Sequence, residues 1–263
     1  MKAFWSVWST HCRMLLQYRA AALAGIATQV FWGLLRIMIL SAFYRSVSTP
    51  MPMTLAQVVS YVWLSQALLR LIPWHVDQDI AGMIREGTVA YELVRPLDLY
   101  GFWFARISAS LAAPSLLRSL PLSAAAMLFL GLQPPASLRS GLFFLLSLIL
   151  ALLLSSALVT LMSASLFWTL SGEGMSHLVP PLGWLLSGMV IPLPLFPEWA
   201  QRLVAVLPFR GMMDTPFRLY LGLVPTGQVL QELGHQLLWT TILVLLGRWA
   251  LSRGVKLLKV QGG

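Results

Sequence analysis

Nine carboxylates, four imidazoles and one thiol are the groups in this 263-residue sequence that could do acid–base, metal or nucleophilic chemistry. Their placement gives none of the three a foothold. Asp77, Asp79, Glu86, Glu92 and Asp98 crowd one charged stretch, Glu173 sits between two apolar runs, and Glu198, Asp214 and Glu232 fall in or beside a proline-rich segment. His11, His75, His177 and His235 all lie near the ends of apolar runs, and no pair has a metal-ligand spacing such as H-E-x-x-H, so no metal site is expected. Cys12 is alone, without the His or Asp neighbours that would make it a nucleophile, and reads as a small apolar residue. The segment Gly82-Met83-Ile84-Arg85-Glu86-Gly87-Thr88 has the Gly-x4-Gly spacing of a phosphate-binding loop. It places Thr88 where the lysine should be, however, and no apolar strand precedes it.

Composition says what kind of element must carry these residues. Hydrophobic residues make up 58% of the chain and charged residues 10%, against about 25% charged in a soluble domain. With a mean hydropathy of +0.77, this excludes a soluble globular enzyme, a disordered tail and a disulfide scaffold. The chain reads as a single membrane domain over 1–263, all-α and polytopic. Its net charge of +9 then sets orientation against anionic lipid, and nucleic acid is not an expected partner.

Apolar runs able to provide the ~20 residues that cross a hydrocarbon core occur at 20–44, 54–73, 103–132, 141–170, 175–194 and 229–251, which predicts about six transmembrane helices. Residues 1–19 carry Phe4, Trp5, Trp8, Cys12, Leu15 and Leu16 on one helical stripe and read as an interfacial helix, not as a cleaved leader. Prolines at 114, 121, 180 and 181 should kink the third and fifth spans. Between 192 and 228 six further prolines break the chain into short surface or re-entrant helices. With the N-terminus inside, eleven Lys and Arg flank the spans on the inner side against five outside, counting Arg45, Arg139, Arg202, Arg210 and Arg218 as outer. Both termini and the 74–102 loop are therefore expected on the cytoplasmic side, and 192–228 on the other.

Two features of this layout suggest function. The 74–102 loop is longer than a turn requires and holds a short helix in which Ile80, Met83 and Ile84 offer an apolar edge beside the charges of Asp79, Arg85 and Glu86. Such a helix outside the membrane is a docking element. Within the spans, Arg36 is a cation without an acid, and its helical neighbours Gln29 and Trp32 suggest a wet, aromatic pathway wall; the competing reading has Arg36 bonding backbone carbonyls of a kinked neighbour. Arg118, between Pro114 and Pro121, is expected against the carbonyls those prolines free.

The stretch from Asp79 through Gly82-Met83-Ile84-Arg85-Glu86-Gly87-Thr88 to Arg95-Pro96-Leu97-Asp98 resembles the inner-loop signature of ABC type-2 exporter permeases, in the uncharacterised-permease branch related to viologen and drug exporters. Tyr18-Arg19, and Leu207-Pro208-Phe209-Arg210 with Asp214, Pro216 and Leu221-Gly222, are similar to that branch in the same order. The resemblance implies an exporter subunit in the cytoplasmic inner membrane with no cofactor in this chain. ATP and Mg would bind cytoplasmic ABC ATPase subunits that grip Asp79, Ile80, Met83, Ile84, Arg85 and Glu86. It also implies a second permease, identical or a related heterodimer partner, with membrane lipids around the pair.

A secondary carrier and an intramembrane lipid-modifying enzyme are the alternatives. Carriers driven by protons or sodium usually hold a carboxylate inside the membrane, and an enzyme needs Asp, Glu, His or Ser clustered at one depth. The acid-free spans disfavour both, so the chain is not expected to be an enzyme.

Overall fold

The computed structural model describes residues 2–16, 19–94, 96–169 and 173–257, and every regular element among the described residues is helical. Tyr18 and Arg95, which carry part of the family resemblance, lie outside them, as does Lys259 near the C-terminus. The amphipathic start forms α1 (Lys2–Leu16) and the first apolar run forms α2 (Arg19–Ser46). After α3 (Leu55–Ala67) come two short helices, α4 (Gln78–Arg85) and α5 (Val89–Leu93), and two long ones, α6 (Leu99–Phe129) and α7 (Leu138–Ala164). A single turn, α8 (Leu166–Thr169), leads to α9 (Glu173–Leu186), then to the short α10 (Glu198–Val206) and α11 (Asp214–Tyr220) and finally to α12 (Val229–Gly254).

Four stretches among the described residues are long and apolar enough to cross a membrane: 25–46, 99–129, 138–169 and 226–257. The expected second and fifth spans are shorter than hydropathy predicts. α3 has 13 residues, so at 1.5 Å per residue it rises only about 20 Å against a core of ~30 Å, and α9 ends at Leu186, well before residue 194. The first is cut off by a 3-10 turn, Leu69–Leu71, with Pro73 beyond it. The other stops before Gly188, whose φ of +84° turns the backbone out of the helix. Irregular backbone is tolerated at membrane depth where protein encloses it, and Tyr61, Val62, Trp63 and Leu64 of α3 are all buried.

Successive passes alternate between two ends of the bundle. One end, here the near end, gathers α1, α4, α8 and the start of α6 with the close of α12; Asp77 N–H donates to Ser163 Oγ at 3.2 Å and Arg248 binds Asp98 at 2.7 Å. The far end gathers α10, α11 and the 130–137 link. There the Trp63 indole donates to Leu130 O at 2.8 Å, Gln133 N–H to Ser60 Oγ at 3.0 Å and the Tyr220 hydroxyl to Gln133 O at 2.8 Å. Pro114 and Pro121 lie inside the unbroken α6.

Close approach holds the passes together. Gln236 of α12 donates to Ser147 O at 3.1 Å and Gly211 O at 2.7 Å, and takes a bond from Ser147 Oγ at 3.0 Å, which locks α12 to α7. Glycine allows α2 to lie on α3: a Cβ on Gly33 would meet the Trp63 ring at 2.6 Å. Small residues at such crossings permit backbone contact in membranes. Gly33→Val should therefore force α2 off Trp63 and destabilise the fold by about 1–3 kcal/mol, read as a lower melting temperature of the detergent-solubilised protein; an unchanged value would contradict this packing.

Candidate functional site

The charged near end is built on Asp77. Its carboxylate caps α4 by accepting from Asp79 N–H at 3.1 Å and Ile80 N–H at 3.0 Å, an N-cap worth about 1 kcal/mol. Arg106 of α6 then bonds Asp79 and lies 3.9 Å from Asp77, tying the helix to the bundle. Ile80, Ala81 and Ile84 turn inward and are buried, with Met83 half-buried against the same core. Each buried isoleucine contributes roughly 1.5–3 kcal/mol to that anchorage. The apolar edge read from the sequence is therefore the attachment of α4 to its own chain. Its outer face carries Gln78, Asp79, Arg85 and Glu86, all exposed.

An exposed apolar surface does exist nearby, one element later. Tyr91 and Val94 are 75% and 84% exposed, and Leu93 and Leu97 also face outward. α5 is held in place from its other side, where Val89 is buried and Glu92 accepts from the Trp103 indole at 2.7 Å. Gly87, at φ +72°, makes the turn between α4 and α5. Sequence reasoning missed Tyr91 and Val94, although an apolar run in a loop away from any span was the available signal. The phosphate-loop spacing from Gly82 to Gly87 falls across this helix end and turn, with no strand before it among the described residues.

α1 lies along α6, with Trp8 on the cluster of Cys12, Ala109 and Ala113. Burial pushes the Cys12 thiol up from its ordinary range, so it stays protonated and unreactive. Burial, helped by Arg106, lowers His11 despite the opposing Asp77 and Asp79, leaving its imidazole neutral at pH 7.

The expected pathway stripe does not stay on one face. Gln29 is buried while Trp32, rotated by about 60° from it on a 3.6-residue helix, is 51% exposed. Arg36 points inward and is spent on the fold: it donates to Ser65 Oγ at 2.9 Å, to Val190 O at 2.8 Å and to Met189 O. Those carbonyls belong to the backbone that leaves the helix after α9, so the carbonyl-bonding reading of Arg36 describes its geometry. Arg118 makes no hydrogen bond to the carbonyls freed by Pro114 and Pro121 among the described residues. Its guanidinium lies against Gly25 of α2, about 3.0 Å from where a Cβ would stand.

This is a helical membrane scaffold with a rigidly mounted charged and apolar face at one end. The sequence model of the family described as ABC-2 family transporter protein matches residues 30–262. The chain belongs to that family. It matches no curated protein and no solved structure. It is a multi-pass membrane protein and a permease subunit of an ABC transporter, a family that generally works with a cytoplasmic ATPase subunit.

The permease also holds a buried charge network that its sequence did not announce. Asp214 and Glu232, read above as in or beside a segment of short surface or re-entrant helices, are buried. Tyr61 of α3 donates to Asp214 at 3.0 Å, Arg218 reaches Asp214 and Glu232 at 3.4 Å each, and Arg210 meets Glu232 at 3.0 Å. No acid lies near the middle of a span, yet α11 carries Asp214 in against Tyr61 of α3, and the first turn of α12 holds Glu232 buried beside it. Both carboxylates are matched by arginines. Among the described residues no group of His, Cys, Asp or Glu could hold a metal ion.

Burial raises the Asp214 carboxyl from its ordinary 3.8 to about 6, against the pull of Arg218 and the Tyr61 hydroxyl. A carboxyl with a higher pKa folded than unfolded gives its stabilisation below about 3.8 and loses it as pH rises through about 6. The interval corresponds to about 3 kcal/mol. Asp214→Asn cannot ionise, so its melting temperature relative to the wild type should rise across that pH window. Parallel pH profiles for the two proteins would count against a strained carboxylate at this site.

Proposed function

We propose that this permease is the membrane half of an ATP-driven exporter, with α4 and α5 as its coupling element and both termini in the cytoplasm of a cell whose inner membrane it spans. The observation that carries the reading is the mounting of that element. It is anchored inward by Ile80, Ile84 and Val89 and cross-braced by Arg106 and Trp103, yet outward it presents Asp79, Arg85, Glu86, Tyr91 and Val94. A push on such a helix pair passes to α6 without being absorbed by a soft loop. Of the residues expected from the sequence, Asp79, Arg85 and Glu86 face a partner on this reading, while Ile80, Met83 and Ile84 transmit its force.

Closure of a pair of ATPase subunits around ATP and Mg would move α4 and α5 together, tilt α6 and shift access from one side of the membrane to the other. A second permease, identical or related, completes the pathway. The outward face of α2, with Phe31, Trp32, Met38 and Ile39 exposed, and that of α9, with Leu178, Leu182 and Leu185, support α2 and α9 as the surfaces that meet it. Trp32 then belongs to that junction, and Gln29 with Arg36 to the wall behind it.

The reading predicts that Tyr91→Ala with Val94→Ala reduces the ATPase co-purified with the tagged permease by about tenfold or more, since exposed apolar anchors dominate protein contacts. Helix content and melting temperature should not change, because neither side chain is buried. Undiminished ATPase recovery from the double variant would remove the assignment. The permease alone should hydrolyse no ATP, and vesicles that accumulate substrate on a proton gradient without ATP would favour a carrier instead.

A further inference from the structure

Beside the docking face, and sharing only Asp79 with it, the near end holds a second group of charges. Between α1, α4, α6 and the 70–77 stretch lies a cavity of about 240 Å³, lined by His11, Met14, Arg70, Trp74, Asp77 and Asp79 among others. A second cavity of about 460 Å³ shares His11, Met14 and Asp79 with it. The charge in this space is divided by depth. Toward the end of the bundle, Asp77 and Asp79 share the one guanidinium of Arg106, which leaves a surplus negative charge on an Asp79 side chain that is 72% exposed. Farther in, Arg70 makes no hydrogen bond or ion pair among the described residues, and its nearest carboxylate influence is the same Asp77. Arg118 is close enough to repel it, and the Arg118 Nε is buried without a partner.

Position along α6 gives the order. Arg106 stands at the acidic level, Ser110 and Leu111 line the cavity with Arg70, and Arg118, which lies behind Arg70 and outside the lining, is twelve residues on from Arg106, about 18 Å along the helix at 1.5 Å per residue. An acidic mouth over a cationic floor fits a ligand carrying a cation outward and an anion inward. Phospholipids with an amine headgroup have that polarity, with the ammonium toward water and the phosphate toward the acyl chains. Met14, Ile72, Leu111 and Val159 supply apolar wall beside the charges, and the exposed Trp5 of α1, stacked on the half-buried Trp8, places the site at an interfacial depth.

We propose that this cavity binds the headgroup of a phosphatidylethanolamine-type lipid, with its phosphate on Arg70 in the field of Arg118 and its ammonium on Asp79. The geometry selects against two neighbours of this lipid. A glycerol headgroup has no cation for Asp79, and a trimethylated amine has no N–H to donate. The site does not depend on an ATPase being docked, so its test and that of the coupling element can fail separately.

The experiment uses the purified full chain in phosphatidylcholine nanodiscs, doped in turn with phosphatidylethanolamine, phosphatidylglycerol or phosphatidylcholine carrying a photoreactive acyl chain. Labelled peptides are then mapped. Ethanolamine lipid should label the segments 70–79 and 106–118 about tenfold above the other two, the value of one charge-assisted hydrogen bond. Arg70→Gln should abolish that labelling, Asp79→Asn should reduce it to the glycerol-lipid level, and Arg202→Gln, an exposed far-end cation, should leave it unchanged. Equal labelling of all three lipids by the wild-type protein would overturn the proposal whether or not the variants fold, as would a preference for phosphatidylglycerol or an Asp79→Asn variant that keeps its selectivity. Displacement by excess soluble phosphoethanolamine would make the free headgroup the ligand and overturn the lipid assignment; resistance to it supports the lipid.

Discussion

A backbone carbonyl inside a bilayer must find a donor, and the interior of this permease is arranged around one place where the helix does not provide it. The chain leaves α9 at Leu186, and Met189 and Val190 turn their carbonyls toward α2. Arg36 meets them, with Ser65 of α3 taking the rest of its guanidinium. Each such charge-assisted bond is worth about 1.5–3 kcal/mol, and each unmet carbonyl would cost several kcal/mol in lipid. A buried cation and a broken helix, each unfavourable alone, thus satisfy one another. That exchange holds α2, α3 and the chain leaving α9 in register.

The same economy recurs at both ends. At the far end Arg210 and Arg218 answer Glu232, so segments too short to cross are fastened to α12 by paired charge. At the near end Arg106 and Arg248 hold α4 and α12 to the start of α6. Arginine supplies every one of these ties, as suits a planar group able to serve several oxygens at once. Apolar packing fills the volume between them, and the charges decide which element sits where.

How far the sequence discloses this follows from what hydropathy measures. Long apolar runs revealed α2, α6, α7 and α12, because length and composition are all a crossing helix needs. The short passes were not legible. Residues 54–73 and 175–194 are as apolar as the others, and only the positive φ of Gly188 and the turn at Leu69–Leu71 show that the helices stop. Amphipathicity located α4 but not the direction of its faces: Ile80 and Ile84 look the same whether they grip a partner or their own core. Asp214 lies in a proline-rich stretch, where residue type implies a surface, and its burial depends on how that stretch folds back on Tyr61; Glu232 lies just beyond it, in the first turn of α12. Arg36 was singled out correctly as anomalous, while its carbonyl partners lie too far along the chain for any local pattern to identify.

That separation bears on how the molecule is made. Arg36 and the carbonyls it serves are 153 and 154 residues apart. At a synthesis rate of roughly 5–20 residues per second, the first helix waits on the order of ten seconds or more before its guanidinium can be satisfied. Throughout that interval α2 is a hydrophobic segment with an unshielded cation in its middle, a poor candidate for immediate release into lipid. Its integration is therefore bound to the arrival of the α9 segment from the ribosome, and whatever shelters nascent helices at the translocation channel must keep hold of this one until then.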